Sequence, residues 1–325
     1  MKAPAVTAVV PSYRHAAFIA ARIESIVGQT FRDFELIVID DCSPDDSDRV
    51  IRELQSRHGF TYHRNERNSG TPFAAWERAV QMAHGEFLWI CESDDVAEPQ
   101  FLETAVAALR QRADAAFFYC DSAVIDVAGQ RVGHTDEYFH DIWKQTRWDQ
   151  SFYAIGLQEL AEFQIRGQTV PNMSSALIRT SAFRRAYRPF LKRFKLTGDW
   201  LFIGWLLEQG GAVYEKRTLS NFRRHEQTSR ASVASARSQA EFILTKYLLF
   251  LAARRPTQEL AKVLSTDAIR FIYEPARWHE VLRAMAAISP VLTARAARHL
   301  GMSMMSNPEY LERFKARYRM VKGGS

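Results

Sequence analysis

The sequence predicts an α/β protein: a mainly parallel sheet with helices on both faces, followed by a C-terminal helical region. Short apolar runs rich in β-branched residues alternate with segments of helical periodicity, the pattern of βαβ crossovers. Three of the runs stop abruptly in polar residues, at Pro11-Ser12-Tyr13, Asp40-Asp41 and Asp94-Asp95. From Ser232 onward the pattern is helical almost throughout, with breaks near Pro256, Pro275, Pro290 and Pro308. Two domains are expected, residues 1–231 and 232–325.

In chain order, Ala5 to Val10 is the first strand. His15 to Val27 carries Phe18, Ile19, Ile23, Ile26 and Val27 at helical spacing. Phe34 to Ile39 is a second buried strand, and Ser47 to Arg57 a helix with Val50, Ile51 and Leu54 on one face. Thr61 to Arg64 is a short strand, and Pro72 opens a helix to Ala83, the proline suiting a first turn. Glu86 to Ile90 is a strand, Pro99 to Leu109 a helix and Ala115 to Tyr119 a strand. After Asp121 the pattern loosens. Val127 to Val132 reads as a hairpin turn, and the aromatic stretch Trp143, Trp148, Phe152, Tyr153 as a substrate loop. Asn172 to Ile178 and Ala212 to Leu219 are further strands flanking a helix from about Trp200 to Leu207.

Composition excludes several classes. Hydrophobic content of 47% and charged content of 25% describe an ordinary globular chain. Cys42, Cys91 and Cys120 are widely spaced and form no C-x-x-C pair, which argues against zinc or redox sites and for a reducing compartment. The chain reaches a strand at Val6, so no signal peptide is expected. The longest apolar run, Tyr247 to Ala253, is far shorter than the roughly 20 residues that span a bilayer. The net charge of +6 is uneven: from Glu241 on there are 14 Lys and Arg against 7 Asp and Glu. That basic excess calls for an acidic partner or surface.

In an open parallel sheet the carboxyl ends of the strands share one edge, where ligands bind. Each acidic pair alone reads equally well as a turn or helix cap. Three such ends in successive βα units point to a site, with carboxylate oxygens suited to a divalent cation and, through it, a phosphate. A calcium loop starting at Asp40 would need Gly at its sixth position and Glu at its twelfth; Asp45 and Ile51 stand there.

Val9-Val10-Pro11-Ser12-Tyr13-Arg14 and the run from Gln29 to Ser43 closely resemble family 2 inverting glycosyltransferases of the GT-A, Rossmann-like fold. The similarity continues through Asn68-Ser69-Gly70, Ala79 to Glu86 and Ser93-Asp94-Asp95, covering roughly the first two-thirds of the chain by ordered motifs. The resemblance implies a nucleotide pocket of Pro11, Ser12 and Tyr13, with the Tyr ring against the base. Asp41, rather than Asp40, would accept the base N–H. Gly70 would let backbone approach the nucleotide. Asp94 would contact the ribose or the metal shell, and Asp95 would ligate Mn²⁺ or Mg²⁺.

An inverting transfer also needs a general base. The resemblance assigns that role to Asp199 in Thr197-Gly198-Asp199-Trp200, a residue equally suited to the first turn of a helix. Family members commonly place a second acid just before the base, where Gly198 stands here. His225, in Arg223-Arg224-His225, would complete the metal shell or hold the diphosphate, and Arg223, Arg224 and Arg230 are candidate phosphate contacts. Processive members carry Gln-x-x-Arg-Trp; Gln227-Thr228-Ser229-Arg230-Ala231 lacks the Trp, which argues for adding a single sugar.

The expected protein is therefore a metal-dependent glycosyltransferase using a UDP or dTDP sugar and a glycan or lipid-linked oligosaccharide acceptor, in bacterial surface glycan synthesis. Its place would be cytoplasmic, peripheral on an anionic inner membrane face if the basic C-terminal helices attach there rather than only packing. Nucleic acid is not expected, for want of a basic-aromatic stripe or a recognised binding motif. The competing readings are a nucleotidyltransferase, disfavoured because no Gly-rich basic loop follows the first strand, and a catalytically silent scaffold that binds nucleotide sugar at a membrane.

Overall fold

The computed structural model describes residues 3–135, 137, 139, 144, 146–225, 235–254, 275–305 and 312. The chain forms two compact units, Met1–Ala231 and Ser232–Ser325.

The first unit alternates β1 (Val6–Ser12), α1 (Ile19–Val27), β2 (Phe34–Asp40), α2 (Ser47–His58), β3 (Thr61–Arg64), α3 (Pro72–Met82) and β4 (Phe87–Ile90). It continues with β5 (Val96–Ala97), α4 (Phe101–Gln111), β6 (Ala115–Ile125), β7 (Arg131–His134), β8 (Phe152–Ala154), α5 (Gly156–Glu159) and β9 (Ala176–Arg179). Helices α6 (Thr180–Ala186) and α7 (Gly198–Leu207) precede β10 (Gly211–Arg223). Among the described residues these strands form one sheet, ordered β3-β2-β1-β4-β9-β6-β10-β5, with β7 beside β6 and β8 beside β10. The pairs β1–β2, β2–β3, β1–β4 and β6–β10 are parallel, while β9 runs antiparallel between β4 and β6. The mainly parallel α/β sheet of the GT-A type is thus present.

Residues of β1 and β4 are buried without alternation, because helices cover both faces of the sheet here and no side chain of these two strands meets water. Ile19, Ile23 and Ile26 give α1 its buried stripe. Trp89 of β4 stacks on Phe101 of α4 with ring centroids 4.6 Å apart, and its indole N–H donates to the Ser174 carbonyl at 2.8 Å. That one side chain joins sheet, helix and the turn beneath the acidic loop.

Three boundaries differ from the sequence reading. Helix α1 begins at Ile19 rather than His15, because the Arg14 and Ala16 amides donate to Ser43 Oγ and Asp45 Oδ2, each at 3.0 Å, which holds this segment to the β2–α2 loop. Strand β6 runs on through Asp121 to Ile125, sustained by pairing with both β7 and β10. Strand β9 begins at Ala176, since Asn172 caps a short 3₁₀ turn by accepting from the Ser174 amide. Trp143 lies outside the described residues.

In the second unit, α8 (Ser235–Ala252), α9 (Pro275–Ile288) and α10 (Pro290–Met305) pack on one another. Pro275 and Pro290 open helices, where a missing N–H costs nothing. Ala240, Ile243, Leu244, Tyr247 and Phe250 of α8 are buried, as are Val281, Met285 and Ile288 of α9 and Ala296 of α10. Arg283, Arg295 and Arg298 are exposed. Among the described residues no helix is long and apolar enough to cross a membrane.

Trp89→Phe keeps the stacked ring but leaves the buried Ser174 carbonyl without its donor. The expected cost is about 1–3 kcal/mol, read as a lower urea midpoint at unchanged m-value.

Candidate active site

The parallel register brings the polar strand ends together. Ser12 pairs with Asp40 and Asp40 with Arg64, so β1, β2 and β3 finish level at one edge. The two aspartates there do different things. Asp40 is fully buried, accepts from the Ser43 amide at 3.2 Å and meets Arg64 Nε at 3.2 Å, a structural arrangement. Asp41 takes the next position, its amide donating to the Ser12 carbonyl at 2.8 Å. Its carboxylate is held by the Ser69 amide at 3.0 Å, Ser69 Oγ at 2.7 Å and Asn65 Nδ2 at 2.7 Å. Three donors leave room for a fourth, since a carboxylate offers about four acceptor positions. Gly70 follows at φ +74°, a left-handed conformation that favours glycine. Pro11 and Ser12 are buried, whereas Tyr13 is 41% exposed at the mouth of this corner.

The second corner is the loop after β4. The Glu92 amide donates to Ser174 Oγ at 3.0 Å, and Asp95 Oδ1 accepts from the Arg223 amide at 2.9 Å. Asp94 Oδ2 faces His225 Nε2 at 3.0 Å. His15 joins them: its Nδ1 lies 2.7 Å from Ser93 Oγ, and its ring meets that of His225 edge-on at 5.5 Å. Ligand atoms of His15, Asp94 and His225 all fall within 4.8 Å of one another, a grouping able to hold a divalent cation. Asp95 is not part of this grouping.

Electrostatics separates the acids. Burial opposes the charge of Asp94, but the His225 hydrogen bond and the field of His15 outweigh it and hold the carboxyl below its usual range. Burial, and then the charge on Asp94, pushes Asp95 up to about 7. Burial, followed by the Asp94 and Asp95 charges, pushes Glu92 up to about 8. Burial, assisted by His225, lowers His15 against the pull of Asp94, favouring the neutral imidazole that binds metal.

Arg223 has a different role from the phosphate contact expected of it. Its Nε donates to the Asp94 carbonyl at 2.8 Å and one terminal nitrogen to the Asp126 carbonyl at 2.7 Å, while the guanidinium lies 4.9 Å from the Phe18 ring centroid. It ties β10 to the acidic loop. Arg224 is exposed; Arg230 and the Gln227–Ala231 segment lie outside the described residues.

Asp199 sits in the first turn of α7, part-exposed. Its Oδ2 accepts from Gln168 Nε2 at 3.0 Å and its Oδ1 from the Trp200 amide at 2.8 Å. Gln164 secures the same turn, donating to the Trp200 carbonyl at 2.8 Å while its own carbonyl accepts the Trp200 indole N–H at 2.7 Å. Lys195, four residues before Asp199, donates to the Gly70 carbonyl. The glycine at 198 has a steric cause: a Cβ there would overlap the Phe73 ring of α3.

His15 and Gln168 escaped the sequence reading. His15 directly follows the quoted strand-end motif and reads from sequence as a helix start, and Gln168 lies in a stretch without periodicity.

The sheet order, the level strand ends and the acidic loop define a GT-A-like α/β glycosyltransferase fold. Residues 7–161 match the model of glycosyl transferase family 2. Among curated proteins it is similar to the Escherichia coli chondroitin synthase, at 28% identity over 133 residues covering 41% of this chain and 19% of the relative. It is also similar to the Staphylococcus aureus poly(ribitol-phosphate) beta-N-acetylglucosaminyltransferase TarS, at 31% over 101 residues covering 30% of this chain and 18% of the relative. The chain thus spans less than a fifth of either relative's length. Among solved structures, S. aureus TarS 1-349 in complex with UDP-GlcNAc superposes with TM-score 0.68 at 17% identity, covering 97% of this chain and 92% of that one. The mannosyltransferase PcManGT of Pyrobaculum calidifontis, in complex with GDP-Man and Mn²⁺, gives 0.56 at 16% identity, covering 99% and 86%.

Gly198→Ala should overpack α7 against Phe73 and cost about 1–3 kcal/mol, measured by denaturant unfolding.

Proposed function

We propose that the protein is an inverting, metal-dependent glycosyltransferase that moves one sugar from a nucleotide-diphosphate donor to a hydroxyl acceptor. The observation that carries this reading is convergence. His225 lies 131 residues beyond Asp94 yet meets it at the same sheet edge that carries Tyr13, Asp41 and Gly70. A family 2 match over residues 7–161, which include Tyr13, Asp41, Gly70 and Asp94 though not His225, supports the same assignment.

A UDP- or dTDP-type donor fits Asp41, whose spare acceptor position suits the ring N–H of uracil or thymine. The UDP-GlcNAc held by the structural neighbour TarS agrees with that choice. Pro11, Ser12 and Tyr13 would wall the base, and Gly70 would admit the nucleotide backbone. The residues of the acidic loop fit Mn²⁺ or Mg²⁺, with Asp94 and His225 holding the ion and Asp95 bracing the loop from behind through Arg223. Such an ion supplies charge neutralisation for the departing nucleoside diphosphate. Arg224 and Arg230 would add positive charge beside it. Asp199, aimed by Gln168, would take the acceptor hydroxyl's proton as that oxygen attacks the anomeric carbon.

The acceptor class consistent with this chain is a growing glycan or lipid-linked oligosaccharide of a bacterial surface polymer. Exposed Arg283, Arg295 and Arg298 would favour an anionic membrane by about 1 kcal/mol each. Replacing all three by Glu should lower recovery of the full chain with anionic vesicles in flotation. Equal recovery would remove these helices from membrane attachment.

Asp199→Asn should cut turnover by about 10²–10⁴-fold while the UDP-induced, Mn²⁺-dependent thermal shift survives. Wild-type protein that shows that shift but turns over no nucleotide sugar would instead be a binding scaffold. Asp94→Asn should abolish the metal-dependent part of the UDP shift. Should Asp95→Asn abolish it and Asp94→Asn leave it intact, Asp95 is the ligand.

A further inference from the structure

We propose that His15 is a third protein ligand at this cation site, so that the protein binds a first-row divalent ion before any nucleotide arrives and discriminates against Mg²⁺. The inference rests on the reading of Asp94 and His225 as metal-holding residues and adds to it a ligand from the other end of the chain.

Geometry is the first support. Groups that ligate one ion at about 2.0–2.2 Å lie about 3–4 Å from one another, and the ligand atoms of His15, Asp94 and His225 lie within 4.8 Å. Small side-chain rotations therefore close the set around an ion. His15 is also held in place. The amides on either side of it are anchored on Ser43 and Asp45, its carbonyl accepts from the Phe18 amide at 2.9 Å, and Phe18 flanks both imidazoles. With Nδ1 engaged by Ser93 Oγ, the other ring nitrogen remains for a ligand, the usual division of labour in a metal-bound histidine.

His225 supplies an independent observation. Its side chain is 2% exposed, and its Nδ1 has no hydrogen-bond partner among the described residues. A buried polar atom without a partner is uncommon, and a ring turned to present that nitrogen to an ion at this cluster would give it one. Donor chemistry then sets the selectivity. Mg²⁺ prefers oxygen and parts with its water reluctantly, so phosphate usually completes its site. Imidazole nitrogens favour first-row transition ions over Mg²⁺, increasingly so from Mn²⁺ to Co²⁺. Two of them beside one carboxylate form a three-ligand site that needs no diphosphate to retain Co²⁺ or, more weakly, Mn²⁺.

The test is titration of the full chain with Mn²⁺ in the absence of nucleotide, following the free aquo-ion EPR signal and counting bound imidazoles by pulsed EPR. Wild type should bind one Mn²⁺ with two coordinated imidazoles, and equimolar Mg²⁺ should not displace it. His15→Ala should show one imidazole and bind at least about tenfold more weakly; His15→Gln, which keeps a polar group toward Ser93, should behave alike if alanine disturbs folding. A single imidazole in the wild type, or ready displacement by Mg²⁺, overturns the inference and leaves the Asp94–His225 reading standing. No imidazole coupling at all overturns both.

Discussion

Arg223 is the joint on which the site depends. Its backbone amide reaches the Asp95 carboxylate, its Nε the Asp94 carbonyl and its terminal nitrogen the Asp126 carbonyl. Charge-assisted bonds of this kind are among the stronger ones a protein makes, and here they fasten three segments from separate parts of the chain. Strand β10 delivers Arg223 because it pairs in parallel with β6 as far as Ile125. Two residues further on, His225 arrives opposite Asp94 as a consequence of where β10 ends. Without the long β6–β10 pairing, the acidic loop would face solvent with its carboxylates unopposed.

The same loop shows how one sequence motif acquires distinct chemistries. Glu92, Asp94 and Asp95 are near neighbours, and their mutual repulsion in a desolvated corner cannot be relieved for all three at once. Asp94 keeps its charge because two imidazoles face it; Asp95 and Glu92 are pushed toward protonation. A cation bound here would change that balance, since a divalent charge is the largest local field in such a site. The acids behind Asp94 form part of its electrostatic setting.

On the opposite side of the edge, packing rather than charge sets the scene. Phe73 occupies the space beside Gly198, and buried Gln164 pins the first turn of α7 through Trp200. Asp199 is thus oriented by a neutral framework, with Gln168 as its only side-chain hydrogen-bond donor among the described contacts. The glycine before Asp199 makes room for an aromatic residue on α3.

Much of this was legible in the residues alone. The strand–helix alternation, the level polar strand ends and the helical second unit follow from local periodicity and turn chemistry, whereas the distinction between Asp40 and Asp41 comes from the family resemblance. Local pattern marks Asp94 as unusual, and the resemblance adds Asp199 and His225. They could not say which acid meets which histidine, because that depends on registers and strand lengths set by pairing between distant segments. The sequence determined that a polar edge would form at the carboxyl ends of a parallel sheet. Only the tertiary structure decided that His15 and His225 flank Asp94, that Arg223 is committed to carbonyls, and that Gly198 makes way for Phe73. The physical reason is range: periodicity acts over a few residues, whereas β6–β10 pairing and close packing join side chains more than a hundred residues apart.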